Sequence, residues 1–261
     1  EGHYSANPNK SAQKMMYSPE IIRYLQRRGC DRLNIKAALI DMDGTLYDSM
    51  PCHVEGWRHL TRLMGWTMGE NELYLYEGMT GVATVALFEK KHANRPLSEQ
   101  EIADIYKIKA DYFNAHAKYT VMPGAPEMLK ALQDFGIRRI LVTGSSQKKL
   151  LGAIDADFPG VFAPDDRVTA FDIKKGKPDP ESYLQGLARA GVRAEEAIVI
   201  ENAPLGVESG HRSGAFTIAV TTGPIPVQAF EEAGADIIFP SMTDFANALP
   251  LLLLAAKNTR L

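Results

Sequence analysis

Ala37-Ala38-Leu39-Ile40-Asp41-Met42-Asp43-Gly44-Thr45 is the stretch whose reading decides the fold. Four apolar residues in a row, with no polar residue between them, fit a short strand buried on both faces, as in a parallel sheet. Two carboxylates and a glycine follow at once. In an open α/β sheet, ligands bind beyond the carboxyl ends of the strands. Paired acids on a glycine turn at that place suit Mg²⁺ and phosphate. Taken alone, the same residues also read as an acidic surface turn.

Working outward, similar apolar runs recur at Ile140-Leu141-Val142, Ile198-Val199-Ile200 and Ile218-Ala219-Val220. Helical patterns lie between them, for example from Pro126 to Phe135 and from Pro180 to Ala190. Strands alternating with helices predict an α/β fold with a doubly wound, Rossmann-like parallel sheet. Ser18 to Arg28 reads as a capped helix stopped by Gly29, and Leu251 to Ala256 as the buried face of a terminal helix. Residues 1–17 are polar and irregular and read as a disordered lead.

From Pro51 to about Thr120 the rhythm breaks, and no convincing strand is visible. Val54, Trp57, Leu60 and Met64 recur at helical spacing. Ser98 and Glu101 form a capping box ahead of Ile102, Ile105 and Ile108. The expected organisation is a core of residues 18–47 and 122–261, with a helical cap of residues 48–121 inserted after the first core strand.

Composition adds bounds. The 261 residues are 45% hydrophobic and 23% charged, with a formal net charge of -3. That gives no nucleic-acid footprint. No apolar run is long enough to span a bilayer. The chain starts at Glu1 with no visible signal peptide, and Cys30 and Cys52 stand at no metal or redox spacing. The expected location is the reducing cytoplasm. The sequence carries no signal for an oligomeric state.

Three further polar turns match the first. Thr143-Gly144-Ser145-Ser146 follows a strand and precedes a helical stretch, so backbone N–H groups and a helix dipole could hold an anion. An ordinary N-cap would look alike. Lys177 lies in Lys174-Lys175-Gly176-Lys177-Pro178-Asp179-Pro180, where Pro178 keeps it out of the helical region. A solvated basic loop is the plainer reading. Glu201-Asn202 follows a third strand, and both side chains offer oxygens to a hard cation, although Asn202 also suits a helix N-cap.

Taken together and in order, the four turns resemble the signature motifs of the haloacid dehalogenase superfamily, over roughly Ile35 to Phe239. The helical insertion resembles that family's type-one cap. Within the family, the chain is similar to the β-phosphoglucomutase and sugar-phosphate phosphatase branch. The resemblance implies that Asp41 is the nucleophile and forms an aspartyl phosphate. Asp43 would be the acid and base, and Thr143, Gly144, Ser145 and Lys177 would hold the phosphoryl group. Mg²⁺ would be held by Asp41, the Asp43 carbonyl, Glu201 and Asn202. Phosphonatases and dehalogenases lack the second aspartate, so Asp43 argues against those reactions.

In the cap, His53, Trp57 and Lys109 match mutase positions, and Gly78-Met79-Thr80-Gly81 resembles the mutase specificity loop. This makes Gly78 and Thr80 candidate substrate contacts. A core tryptophan, a helix-end histidine and a solvated lysine are the plainer readings of Trp57, His53 and Lys109. Two positions depart from the mutase pattern: Asn202 stands for an aspartate, and Gly81 for the arginine that holds the distal phosphate. The expected function is therefore a Mg²⁺-dependent phosphatase for a small phosphorylated metabolite, such as a sugar phosphate. A β-phosphoglucomutase is the alternative. A binding or regulatory protein that has lost catalysis is a third reading.

Overall fold

The structure is a computed structural model and describes residues 15–261. Most of the lead expected over 1–17 lies outside the described residues. Residues 15–17 form a turn, and the Tyr17 ring stands edge-on to Phe239 at 6.2 Å.

Helix α1 (Ser18–Arg28) comes first and ends at Gly29, whose φ is 64°. Ser18 is inside the helix and does not cap it; its hydroxyl meets that of Thr259 at 3.0 Å. Strand β1 (Ala37–Ile40) follows. After the insertion come α6 (Ala125–Asp134), β4 (Arg138–Val142), α7 (Lys148–Asp157), β5 (Arg167–Val168) and α8 (Glu181–Ala190). The chain then runs through β6 (Ala197–Glu201), α9 (Pro204–Ser213), β7 (Phe216–Val220), α10 (Val227–Glu232), β8 (Ile237–Phe239) and α11 (Met242–Asn258).

The six strands pair in the order β5-β4-β1-β6-β7-β8, and every neighbouring pair is parallel. β1 lies between β4 and β6, which is the point where strand order reverses and where such sheets bind ligands. Ala38 and Ile40 face a cluster with Tyr24, Leu129, Ile154 and Leu252, whereas Ala37 and Leu39 face one with Tyr183 and Leu187. All four strand residues are fully buried, because successive side chains go to opposite faces and both faces carry helices. Truncating Leu39 or Ile40 to alanine would cost roughly 2–5 kcal/mol.

The insertion holds α2 (Met50–Met64), α3 (Glu72–Leu75), α4 (Gly81–His92) and α5 (Glu99–His116). Val54, Trp57, Leu60, Leu73, Val85 and Phe88 form its own core, with Ile102, Ile105 and Ile108 packed against it. The Ser98–Glu101 capping box starts α5. The architecture is an α/β Rossmann-like core with an inserted helical cap. Sequence reading missed two strands at the junction. β2 (Tyr47–Asp48) pairs antiparallel with β3 (Thr120–Val121), with Tyr47 opposite Val121. Two residues are too few to show a period. Among the described residues, no helix is long and apolar enough to cross a membrane.

Candidate active site

Register places the polar turns side by side. Ile40 pairs with Leu141 on one side and with Ile200 on the other. Asp41, Val142 and Glu201 therefore stand at one level at the carboxyl ends of β1, β4 and β6. The Asp41 N–H continues the ladder by donating to the Ile200 carbonyl at 3.1 Å, and the Thr143 N–H donates to the Val168 carbonyl at 2.9 Å.

Lys177 ties these ends together. Its ammonium donates to Asp41 Oδ1 at 2.7 Å, to Glu201 Oε1 at 2.5 Å and to the Val142 carbonyl at 3.2 Å. It is only 1% exposed, so the reading as a solvated loop lysine fails. Burial alone would lower its pKa, but Asp41 and Glu201 override this and hold it above the ordinary lysine value. Burial pushes the Asp41 carboxyl up to about 7; Glu201 adds to the rise and Lys177 opposes it. Buried ion pairs are weak evidence for stability, so this one points to chemistry.

A second cluster of oxygens lies beside it. The Thr45 hydroxyl is 3.4 Å from Asp41 Oδ2 and donates to Asn202 Oδ1 at 3.1 Å. Asn202 Nδ2 donates to Glu77 Oε1 at 2.6 Å. Asn202 does not cap α9: the capping position belongs to Ala203, without a side-chain bond. Gly44 lets this cluster form, because its φ is 75° and a Cβ there would lie 2.0 Å from Asn202 Nδ2. Burial raises the Glu77 pKa well above the ordinary range; the Asn202 bond opposes this, and Asp41, Glu201 and Asp43 add to it. Carboxylates in such excess fit a cation, and Asp41, Glu77 and Asn202 bring together hard oxygen donors of the kind that Mg²⁺ prefers. Glu201 fits less directly, since Oε1 accepts from Lys177 and Tyr183 and Oε2 from the Asn202 N–H. Among the described residues, no cage of three or more His, Cys, Asp or Glu side chains surrounds one point. The donor set therefore depends on the Asn202 amide as well as on carboxylates.

Asp43 belongs to a line of three. His53 Nε2 meets Asp43 Oδ1 at 2.7 Å, and Lys109 Nζ meets His53 Nδ1 at 2.7 Å. Ser49 also donates to Asp43 Oδ1, at 2.6 Å. The His53 ring stacks on Phe113 at 4.3 Å, and Lys109 Nζ lies 5.5 Å from the Trp57 ring centroid. His53 and Lys109 are 7% and 2% exposed, so neither is a solvated surface group. Burial would raise the Asp43 pKa, but His53, Ser49 and Lys109 outweigh it and the net shift is downward. Burial brings Lys109 down to about 7, with Asp43 opposing. Burial also lowers His53, with Lys109 adding and Asp43 opposing.

The cap closes over these groups. A cleft of about 70 Å³ is lined by Asp41, Asp43, His53, Trp57, Glu77, Gly78, Met79, Gly81, Tyr106, Lys109, Thr143, Gly144, Ser145, Gln147 and Glu201, among others. Gly78, with φ at 96°, and Gly144 form the seam: a Cβ on Gly144 would come within 2.5 Å of the Gly78 carbonyl. Thr143 Oγ1 accepts from the Ser145 N–H at 3.0 Å, which shapes the turn. Trp57 joins the cap core and also lines the cleft, so both readings of it hold. Thr80 is placed differently from expectation: it caps α4, accepting from the Ala83 N–H at 3.3 Å, and does not line the cleft.

Sequence reading missed Glu77, Tyr106, Gln147 and Tyr183. Glu77 directly precedes the glycine loop, a signal that could have been used. Tyr106 offered none. Its ring fills the space beside Gly81, where a Cβ would lie 2.0 Å from Tyr106 Cε2. Its hydroxyl accepts from Gln147 Nε2 at 2.5 Å and meets Ser146 Oγ at 3.1 Å, joining cap to core.

The sequence profile of haloacid dehalogenase-like hydrolases matches residues 35–214. Hexitol phosphatase A of Escherichia coli is 32% identical over 189 residues, covering 72% of this chain and 84% of that protein. Validoxylamine A 7'-phosphate phosphatase of Streptomyces hygroscopicus subsp. limoneus is 29% identical, covering 80% and 95%. A candidate β-phosphoglucomutase from Bacteroides vulgatus superposes with a TM-score of 0.89 at 41% identity, covering 94% of this chain and all of the other. The match runs through the strand ends that carry Asp41, Thr143 and Glu201, and the chain is an enzyme that belongs to the haloacid dehalogenase-like hydrolase family.

Proposed function

We propose that the protein is a Mg²⁺-dependent phosphatase that hydrolyses a small phosphorylated metabolite, such as a compact sugar phosphate, through an aspartyl phosphate on Asp41. One observation carries the reading: Asp41, held by Lys177 at 2.7 Å, lines the same cleft as the Asp43–His53–Lys109 line. Mg²⁺, held by Asp41, the Asp43 carbonyl, Asn202 and Glu77, would neutralise the charge that phosphate meets there. An Asp41 oxygen bonds to phosphorus as the ester P–O bond breaks. The leaving oxygen takes a proton from Asp43, whose carboxyl His53 and Lys109 orient. Asp43, ionised again, then takes a proton from water as the water oxygen bonds to phosphorus and the Asp41–phosphorus bond breaks. Thr143, Gly144 and Ser145 line the same cleft and face the phosphoryl oxygens in this reading. Two free thiols, Cys30 and Cys52, suit a cytoplasmic setting.

Two features favour hydrolysis over isomerisation. Gly81 supplies no arginine, and Tyr106 fills the space beside it, so no site for a distal phosphate stands there. The cleft is also half-open, which admits the water that hydrolysis needs.

The test offers the enzyme, with Mg²⁺, a size series of phosphoryl donors: pyrophosphate, phosphoglycolate, glycerol phosphate and hexose phosphates. In a parallel tube it receives β-glucose 1-phosphate with a trace of glucose 1,6-bisphosphate. Phosphate release should be fastest for the small donors, should outpace formation of glucose 6-phosphate, and should vanish in Asp41→Asn. Glucose 6-phosphate accumulating much faster than phosphate would establish the mutase instead.

A further inference from the structure

Tyr183 is fully buried on α8, and its ring belongs to the apolar cluster of Leu39, Ile140, Val142 and Leu187. A buried phenol needs a partner for its hydroxyl. Here the partner is a charged group of the site, since Tyr183 donates to Glu201 Oε1 at 2.5 Å. The same oxygen accepts from Lys177, whose ammonium also lies 4.9 Å from the Tyr183 ring centroid. Glu201 Oε2 accepts from the Asn202 N–H at 3.1 Å. Behind the carboxylate stands Gly206, where a Cβ would approach Glu201 Cδ to 2.1 Å. The Glu201 carboxylate is thus clamped flat by a phenol, an ammonium, an amide and a bare backbone.

An ammonium has three N–H donors. Those of Lys177 are all engaged, each by the carboxyl end of a different strand. Its position is therefore only as fixed as its three acceptors. Val142 offers a backbone carbonyl. Asp41 is the group that reacts, so its grip on Lys177 changes in every turnover. Glu201 is the one side-chain anchor that stays, and Tyr183, with the Asn202 N–H, keeps it from turning toward the cleft that it lines.

We propose that Tyr183 is a positioning residue for phosphoryl transfer: its hydroxyl fixes Glu201, and Glu201 keeps Lys177 on the reacting group while Asp41 is phosphorylated and released. This rests on the reading of Asp41 as the nucleophile. Tyr183 touches neither Asp41 nor the space for substrate; it acts through Glu201. A hydrogen bond to a charged group is among the stronger ones in a protein. Removing it should therefore be felt in the transition state, where Lys177 must stand still.

The test compares wild type, Tyr183→Phe, Glu201→Gln and the double variant on the best donor of the size series, with Mg²⁺. Tyr183→Phe keeps the ring and its packing, and its melting temperature serves as the control for folding. Its kcat should fall about tenfold with KM within about twofold, and the loss should shrink to near nothing when Glu201 is already Gln, because the two act as one unit. A kcat within twofold of wild type would overturn the inference. So would equal losses in both backgrounds, which is what a merely structural phenol would give. Both outcomes leave the phosphatase reading intact, since wild-type turnover is measured in the same plates. If wild type releases no phosphate from any donor, the inference falls together with the reading beneath it.

Discussion

Asn202 decides the charge balance of the site. Its amide donates to Glu77 Oε1 at 2.6 Å and accepts from Thr45, so one neutral side chain holds two polar groups of opposite need. Asn202→Asp turns the first bond into a contact between two acceptors. Without metal the variant should melt a few degrees lower, since a lost hydrogen bond is worth roughly 0.5–1.5 kcal/mol and each kcal/mol shifts a domain of this size by about 2–4 °C. With Mg²⁺ the added charge should close the gap and move the metal titration to lower concentration. Melting curves across a Mg²⁺ series with a chelator blank provide the check; an unchanged titration would remove Asn202 from the ligand set. At this scale the sequence is legible in its contiguous strings. Asp41 to Thr45 carries its own strand, turn and acids, and needs no distant partner to be noticed. Glu77 is not legible in that way. Its meaning comes from Asn202, 125 positions away, and only the fold brings the two together.

Helices α4 and α5 show the same division between elements. Apolar periodicity marks α5, and the capping box marks where it begins, whereas α4 carries no such mark. Periodicity says nothing about Tyr106, which is one more residue on a largely apolar face until Gly81 is packed against it. The two positions act as a pair: the missing side chain at one makes room for the ring at the other. Tyr106→Ala should empty that space and let larger esters in. Relative turnover of a hexose phosphate over phosphoglycolate should rise by about tenfold or more, the range in which a few buried atoms discriminate substrates. Tyr106→Phe keeps the bulk while losing the bonds to Ser146 and Gln147, and should keep the preference for small donors. Equal size preference in the Ala variant and wild type, measured by phosphate release, would show that the ring does not set the limit. The core strands β1, β4, β6 and β7 were legible because each carries a buried apolar run, whereas the edge strands β5 and β8, two and three residues long and only partly buried, were not read. β2 and β3 were not, because a pairing of two residues on each side lies below any sequence period.

For the molecule as a whole, the buried cap lysine predicts how stability changes with pH. Lys109 titrates near 7 in the fold against 10.5 for the free side chain, because burial disfavours its charge. Between those limits the unfolded chain binds a proton that the folded chain does not. Stability rises with pH wherever the unfolded state binds more protons, so this group makes the metal-free protein gain stability from about pH 7 toward 10.5, and lose that gain as pH falls from 10.5 back to about 7. Urea melts with chelator at several pH values should show the rise in wild type and a flatter curve in Lys109→Met. Parallel curves would assign the slope to other groups. The pairing of β2 with β3 has a different kind of consequence. The chain departs from the sheet at Asp48 and comes back at Thr120 on a directly opposed strand, so the two ends of the excursion stand about 4.8 Å apart, one strand spacing. Any segment whose own ends meet at that spacing could be spliced into the same joint without disturbing the register of β1. The joint makes the excursion an interchangeable cartridge, in which a lineage or an engineer can rewrite what the enzyme accepts while the chemistry beneath is inherited unchanged.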